Sequence, residues 1–261
     1  MASCSLACSL GSFTGYSSGG PPDGGNATPP EDGVTDASAP GSETSADAPD
    51  SATSTDASAP WLFDDFERDR LFGPWERRDE SGGELSLDST TSHSPSRSLR
   101  STVFTGRARR AVLQRDALGE ISRAVMTFWM KVPDTTRTAH IARFRLELPE
   151  GTGAQLLLET GSDGRVYLAE QRYDESSFTD HVRYELIGFV PDVWQKWTFE
   201  LDASTTPSQA RVTIDDALAR EQALSIAFPK GALRVAFGIS WTDEGSELSI
   251  HYDDVSIAYA P

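Results

Sequence analysis

After position 8 the chain has no cysteine. Its only two, Cys4 and Cys8, fall in the opening stretch "MASCSLACSL". A core without cysteine fits either redox compartment, so this scarcity leaves the compartment open. Lysine is nearly as rare, with only Lys131, Lys196 and Lys230, and asparagine occurs once, at Asn26. Arg, Ala and Asp are abundant. The codons of Lys and Asn are AT-rich and those of Ala and Arg mostly GC-rich, which points to a high-GC, bacterial genome. The net charge is −17 over 261 residues. That balance excludes nucleic acid as a partner, because neutralising phosphates takes clustered Lys and Arg. The run "RARR" ending at Arg110 is too short to reverse it. No stretch reaches the roughly 18 apolar residues of a membrane-spanning helix. Catalytic templates are missing too. There is no H-E-x-x-H, and the four histidines, His93, His140, His181 and His251, are scattered. "GYSSG" at 15–19 fits G-x-S-x-G by letter, but a nucleophile elbow needs a strand-to-helix turn that this context lacks.

What is present divides at about residue 60. Residues 1–60 carry eight acids and no Lys or Arg, and "TDASAP" occurs there twice. Ser, Ala, Gly, Pro, Thr and Asp offer too little apolar surface to offset the entropy of ordering. Residues 9–60 therefore read as a disordered, acidic tether, with a root-mean-square span of roughly 40 Å if flexible. At "APWLFDDFER" the composition changes, with Trp61, Leu62, Phe63 and Phe66 close together. From there 61–261 reads as one globular domain, large enough to bury a proper core.

The cysteines belong to the first eight residues. "MASC" resembles the end of a bacterial lipobox, with Met1 at the Leu-type position, Ala2 and Ser3 at the small ones and Cys4 at the acylated one. "SLAC", ending at Cys8, is a poorer match because Ser5 takes the first position. The resemblance implies a start upstream of Met1, a lipid on Cys4, and a protein anchored in the bacterial cell envelope, facing periplasm or exterior. Contact with membrane would then be through the lipid alone. Plainer readings are two free thiols, or a CxxxC pair too poor in ligands for a metal.

Beyond residue 60 a period of two dominates. In "AVMTFWMKV", Met126, Phe128 and Met130 alternate with Thr127, Trp129 and Lys131. In "IARFRLELPE", Ala142, Phe144, Leu146 and Leu148 alternate with Arg143, Arg145 and Glu147. Trp197, Phe199 and Leu201 do the same, and Leu233, Val235, Phe237, Ile239 and Trp241 oppose a face of Arg234 and small residues. Turn signals such as Pro149-Glu150-Gly151 and Pro191-Asp192 fall between these runs. Only 114–123 and 215–223 suggest short helices. Ten to thirteen strands without a strand-helix rhythm predict an all-β, two-sheet antiparallel β-sandwich of jelly-roll type, preceded by the disordered segment.

Several of these segments, in this order, resemble the concanavalin A-like and laminin-G-like jelly rolls. "VMTFWMKV" is similar to one of their central strands, and "VWQKWTFELD" with "ARVTIDDALA" to a strand and hairpin, with Asp216 where Gly is usual. "LFDDFE", "YDDVSI" and "SHSPSRSLR" resemble segments of carbohydrate-binding jelly rolls. The likeness spans most of 61–261. It implies a fold that hosts lectins, glycosidases, proteases and adhesion modules, so it does not by itself give a function. It also implies a structural calcium between the terminal strands, at Glu67 and Asp254. A change of register from Tyr252 to Val255 suggests a bulge there that would re-aim a carboxylate. The plainer reading is two ordinary edge-strand acids.

Glycosidases of this fold carry a strand with E-x-D-x-E, and the nearest stretch, Glu67 to Asp69, lacks the closing Glu. A non-catalytic, monomeric binding module is therefore expected, with a glycan as the ligand class. Sugar sites need an aromatic platform. Trp129, Trp194, Tyr167 and Tyr173 are the candidates, because each falls out of phase with the core set. Packing beneath a loop is the commoner fate of such residues, and the domain's lack of Asn weighs against a lectin. A divergent glycoside hydrolase and a structural, protein-binding module are the alternatives.

Overall fold

A computed structural model describes residues 61–261 apart from 72, 107, 108, 118, 175 and 176. The expectations for Cys4, Cys8 and the 9–60 tether lie outside the described residues. Among the described residues every regular element is a strand. In chain order these are β1 (Leu62–Asp64), β2 (Arg77–Asp79), β3 (Gly83–Asp88), β4 (Ser98–Val103), β5 (Ala111–Asp116), β6 (Arg123–Lys131), β7 (Ala139–Glu147) and β8 (Thr152–Thr160). There follow β9 (Val166–Asp174), β10 (Ser177–Glu185), β11 (Gln195–Asp202), β12 (Gln209–Ile214), β13 (Ala217–Ala223), β14 (Ala232–Thr242) and β15 (Leu248–Ala260).

They form two sheets. The first runs β13-β12-β11-β6-β15-β4-β3, with β1 also on β15, and the second runs β10-β9-β8-β7-β14-β5-β2. The chain passes between sheets at β1 to β2, β2 to β3, β4 to β5, β5 to β6, β6 to β7, β10 to β11, β13 to β14 and β14 to β15. The expected antiparallel sandwich is present, with more strands than expected.

Alternation creates the core. Met126, Phe128 and Met130 on β6 and Trp197, Phe199 and Leu201 on β11 point inward from the first sheet. Ala142, Phe144 and Leu146 on β7 and Leu233, Val235, Phe237 and Ile239 on β14 meet them from the second. Aromatic rings bridge the layers, Phe128 edge-on to Phe237 at 5.0 Å and Phe144 against Phe199 at 4.7 Å. Each such buried side chain stabilises the fold by about 1.5–3 kcal/mol. The buried Tyr252 hydroxyl donates to the Ile141 carbonyl at 2.7 Å, from one sheet to the other.

Both segments expected to be helical are different. Residues 114–123 contain the end of β5 and the start of β6, and 217–223 is β13. Asp215 and Asp216 form the two-residue turn from β12 to β13, with φ of 52° and 63°. Two successive left-handed residues give the turn twist that suits a tight hairpin. Asp215 accepts the Lys196 N–H at 2.9 Å and the Gln195 amide at 3.0 Å, which ties the turn to β11. The bulge inferred near Asp254 is present. The β15–β6 register shifts between Asp253 and Ser256, and Asp254 has φ 47°.

Candidate functional site

The outward residues of the second sheet build a cleft of about 1300 Å³. Small-molecule pockets are commonly about 300–1000 Å³, so this one has room for an extended ligand. Cross-strand register puts Arg145 opposite Gln155 and Arg234, and Gln155 opposite Gln171. Arg143 stands opposite Leu157 and Ala236. Where its neighbours carry long side chains, β14 offers Ala236 and Gly238, and this leaves depth above that strand. Two exposed aromatics line the cleft, Trp241 (43% exposed) and Phe178 (57%).

Three irregularities in the strands bring the polar groups together. The β7–β8 register shifts between His140 and Ala142, the β14–β7 register between Phe237 and Trp241, and the β10–β9 register between Thr179 and Val182. Bulges re-aim side chains, and here they coincide with His140, Trp241 and His181, all of which line the cleft. The His140 ring sits 4.9 Å from Trp241. Glu159 lies among them, 1% exposed. Its carboxylate is 3.2 Å from His140 Nε2, 3.2 Å from His181 Nε2 and 2.9 Å from Arg183 Nε. Burial opposes ionisation of Glu159, but the contacts with His140, His181 and Arg183 outweigh it and hold its pKa at about 2. Burial pushes the His140 pKa down, against the pull of Glu159.

Seven arginines and four carboxylates line the cleft of a protein whose net charge is −17. Most of these arginines are paired. Arg234 meets Asp116 at 2.6 Å, Arg110 meets Asp79 at 3.1 Å, and Arg78 meets Glu80 at 2.5 Å. Arg143 differs. It is 9% exposed and has neither a hydrogen bond nor an ion pair among the described residues. Burial, then Arg145, Arg234 and Arg110, push its pKa down to about 10. Buried polar atoms without hydrogen-bond partners cluster here: Arg143 Nε, Arg145 Nε, Gln155 Oε1, both Glu159 oxygens and Ser240 Oγ. The Glu159 oxygens have ion-pair partners within 3.2 Å in His140, His181 and Arg183. Unsatisfied buried polar groups are rare and costly in folded proteins, so a cluster of them calls for water, an ion or a ligand to complete the bonding.

The four aromatic candidates are divided between the two outer faces. Tyr167 and Tyr173 lie on the cleft-bearing sheet, but arginines cover them. The Arg183 guanidinium sits 4.0 Å over Tyr167, and Arg145 sits 3.7 Å over the buried ring of Tyr173. Tyr167 also donates to Asp163 at 2.5 Å. Burial pushes the Tyr173 hydroxyl pKa up, partly offset by Arg145. Trp129 and the nearby Trp194 belong to the opposite face of the sandwich. His93 stacks on Trp129 at 3.6 Å and meets Trp194 edge-on at 6.1 Å. Trp129 is therefore no open platform.

Glu67 and Asp254, the residues expected to share a calcium ion, both meet the 93–97 loop. Glu67 accepts the N–H groups of Ser96 and Arg97 at 3.0 and 3.1 Å and the Ser96 hydroxyl. Asp254 faces His93 Nδ1 at 3.4 Å. Neighbouring Asp253 is buried and accepts the N–H groups of His93 and Ser94 at 2.9 Å each. The 93–97 loop thus meets Glu67, Asp253 and Asp254 together. Among the described residues no group of three or more His, Cys, Asp or Glu is placed to hold a metal ion.

The paired sheets and their connections define a concanavalin A-like jelly roll, as the sequence motifs implied. Among solved structures the chain is similar to the cellulose-induced protein Cip1, with TM-score 0.52 at 17% identity over 76% of this chain and 96% of that one. It is also similar to the carbohydrate recognition domain of Emp47p (TM-score 0.48, 14% identity, 76% of this chain and 94% of that one). A third similar structure is a Bacillus licheniformis β-glucanase (TM-score 0.45, 12% identity, 77% and 97%). At these identities the likeness shows the fold alone. No family model matches the chain, and no curated protein does.

Proposed function

We propose that the protein binds a glycan in the cleft of its second sheet and does not cleave it. The observation that carries this reading is the set of buried polar atoms without hydrogen-bond partners in the cleft that the exposed indole of Trp241 also lines. Sugar rings offer hydroxyl donors and acceptors at their edges and C–H faces that pack on aromatic rings. The cleft offers both complements. Glycoside hydrolysis by the usual route needs two carboxyl groups flanking the bond, one of them protonated. Glu159, with a pKa of about 2, is poorly suited to be that acid. The other acids lining the cleft are engaged by arginines: Glu76 near Arg115, Asp79 with Arg110 and Glu80 with Arg78. Display on a bacterial surface through a lipid on Cys4 belongs to the same proposal. The mass of the amino-terminal peptide from membrane-extracted protein tests it.

The test of binding is a glycan-array screen of the full chain. Retention of one class of oligosaccharide, with the sugar recovered intact, is the expected result. Silence across neutral and acidic glycans overturns the reading, and release of shortened sugars overturns its non-catalytic part.

A further inference from the structure

We propose that the glycan is acidic, and that Arg143 is the site of its anionic group. The inference rests on the glycan reading above and names the substrate class of the same cleft. A buried guanidinium without a counter-charge is expensive, because burial penalises an ion that nothing nearby compensates. Arg143 is in that state on the floor of the cleft. The carboxylates around it are already taken: Asp116 holds Arg234, Asp79 holds Arg110, and Glu147 lies 3.5 Å from Arg145. The two strand neighbours of Arg143 on this face are Leu157 and Ala236, and neither has a polar atom to offer. Among the described residues none supplies the missing partner, and the proposal assigns it to the ligand.

The remaining unpartnered atoms narrow the ligand further. Arg143 Nε is a donor and suits an anion. Gln155 Oε1 is an acceptor without a donor, and Glu159 keeps acceptor lone pairs beyond its ion pairs with His140, His181 and Arg183. A bare anion such as phosphate satisfies the first set and is repelled by Glu159. A neutral sugar satisfies the second set and leaves Arg143 uncompensated. A sugar residue carrying a carboxylate or sulfate satisfies both, with its acid group on the guanidinium and its hydroxyls on Glu159 and Gln155. Guanidinium forks match either anion in two-point geometry.

The test is calorimetric titration of the full chain with matched-length oligosaccharides: hexuronate oligomers, the same oligomers with their carboxyl groups reduced to alcohols, and sulfated oligomers. The expected result is binding of an acidic oligomer and weakening by at least about tenfold when the carboxyl groups are reduced. Arg143→Met loses a similar factor for the acidic oligomer only. Thermal melting of Arg143→Met, without ligand, keeps or raises Tm, because an uncompensated buried charge has been removed. Whichever acidic oligomer binds identifies the anion. Equal binding of acidic and reduced oligomers overturns the inference and leaves the glycan reading standing. So does acidic binding that Arg143→Met leaves unchanged. Loss of binding together with a lowered Tm marks Arg143 as structural and overturns its assignment. Failure of every oligomer, acidic or neutral, overturns the glycan reading itself.

Discussion

The ring of His93 lies flat on the indole of Trp129, 3.6 Å between centroids and 14° from parallel. The contact covers Trp129, one of the two tryptophans the sequence offered as a sugar platform. Asp253 holds the loop in place by accepting from the His93 and Ser94 N–H groups. His93→Ala should leave the fold intact, with a loss of about 0.5–1.5 kcal/mol for the ring contact. It should make tryptophan emission more accessible to acrylamide. Unchanged quenching would mean that the indole is not covered by this ring.

Glu170 occupies an inward position on β9 and is fully buried. It accepts from the Tyr184 hydroxyl at 2.6 Å, the Ser225 N–H at 3.0 Å, the Ser225 hydroxyl at 2.8 Å and the Ile226 N–H at 2.7 Å. One carboxylate thus ties β10 to the segment after β13. Glu170→Ala should cost about 3–5 kcal/mol in urea unfolding, because it leaves several buried donors unpaired. Glu170→Gln, which keeps acceptor capacity at one oxygen, should cost less. Equal losses would contradict the assignment.

Acid should weaken the fold through the cleft. Glu159 ionises with a pKa of about 2 in the folded chain against an ordinary 4.5. Below 4.5 the unfolded chain takes up a proton that the folded chain refuses. The contribution is therefore fully present above about pH 4.5 and is lost as the pH falls towards 2. His140, pushed below its ordinary 6.5 by burial, adds a loss of the same sign that begins at higher pH. Glu159→Gln should flatten stability against pH between about 4.5 and 2. A slope as steep as in the parent would assign the acid sensitivity elsewhere, with Asp88 the next group to test, since its pKa is also about 2.

The β12–β13 turn places Asp216 at φ 63°, a backbone region that glycine occupies without penalty. Asp216→Gly should raise stability by up to about 1 kcal/mol, set against the loss of its contact with Lys196 at 3.0 Å. A clear fall in Tm would show that the aspartate contributes more than its conformation costs.

The core was legible because two residues per repeat decide which side of a strand is buried. β6 and β11 follow that rule, and β14 follows it as far as Ile239. Trp241, read with the core face, lies beyond a register shift and lines the cleft instead. The bulge at Asp254, by contrast, showed as a break in the alternation. The helical expectation at 215–223 failed, whereas the hairpin that "ARVTIDDALA" implied is present, turning on the left-handed pair Asp215 and Asp216. The cleft was not legible. Arg143 and Arg145 stood out as polar alternates, but a period of two does not say which sheet a face belongs to, so Trp129 and Tyr167 looked equivalent. Glu159, His140 and His181 meet through three register shifts on strands up to 41 positions apart, and such shifts depend on pairing rather than on local pattern. Glu170 misleads in the opposite sense, as a charge at a core position satisfied by partners distant in sequence.

The central claim is that the second sheet's cleft, and not the tryptophan face of the first sheet, takes the ligand. The most direct measurement compares the affinity of Trp241→Ala and Trp129→Ala for the oligosaccharide that the full chain retains best. The account predicts a loss of about tenfold or more for Trp241→Ala and little change for Trp129→Ala. Loss on removing Trp129, with Trp241→Ala binding as the parent does, would contradict it.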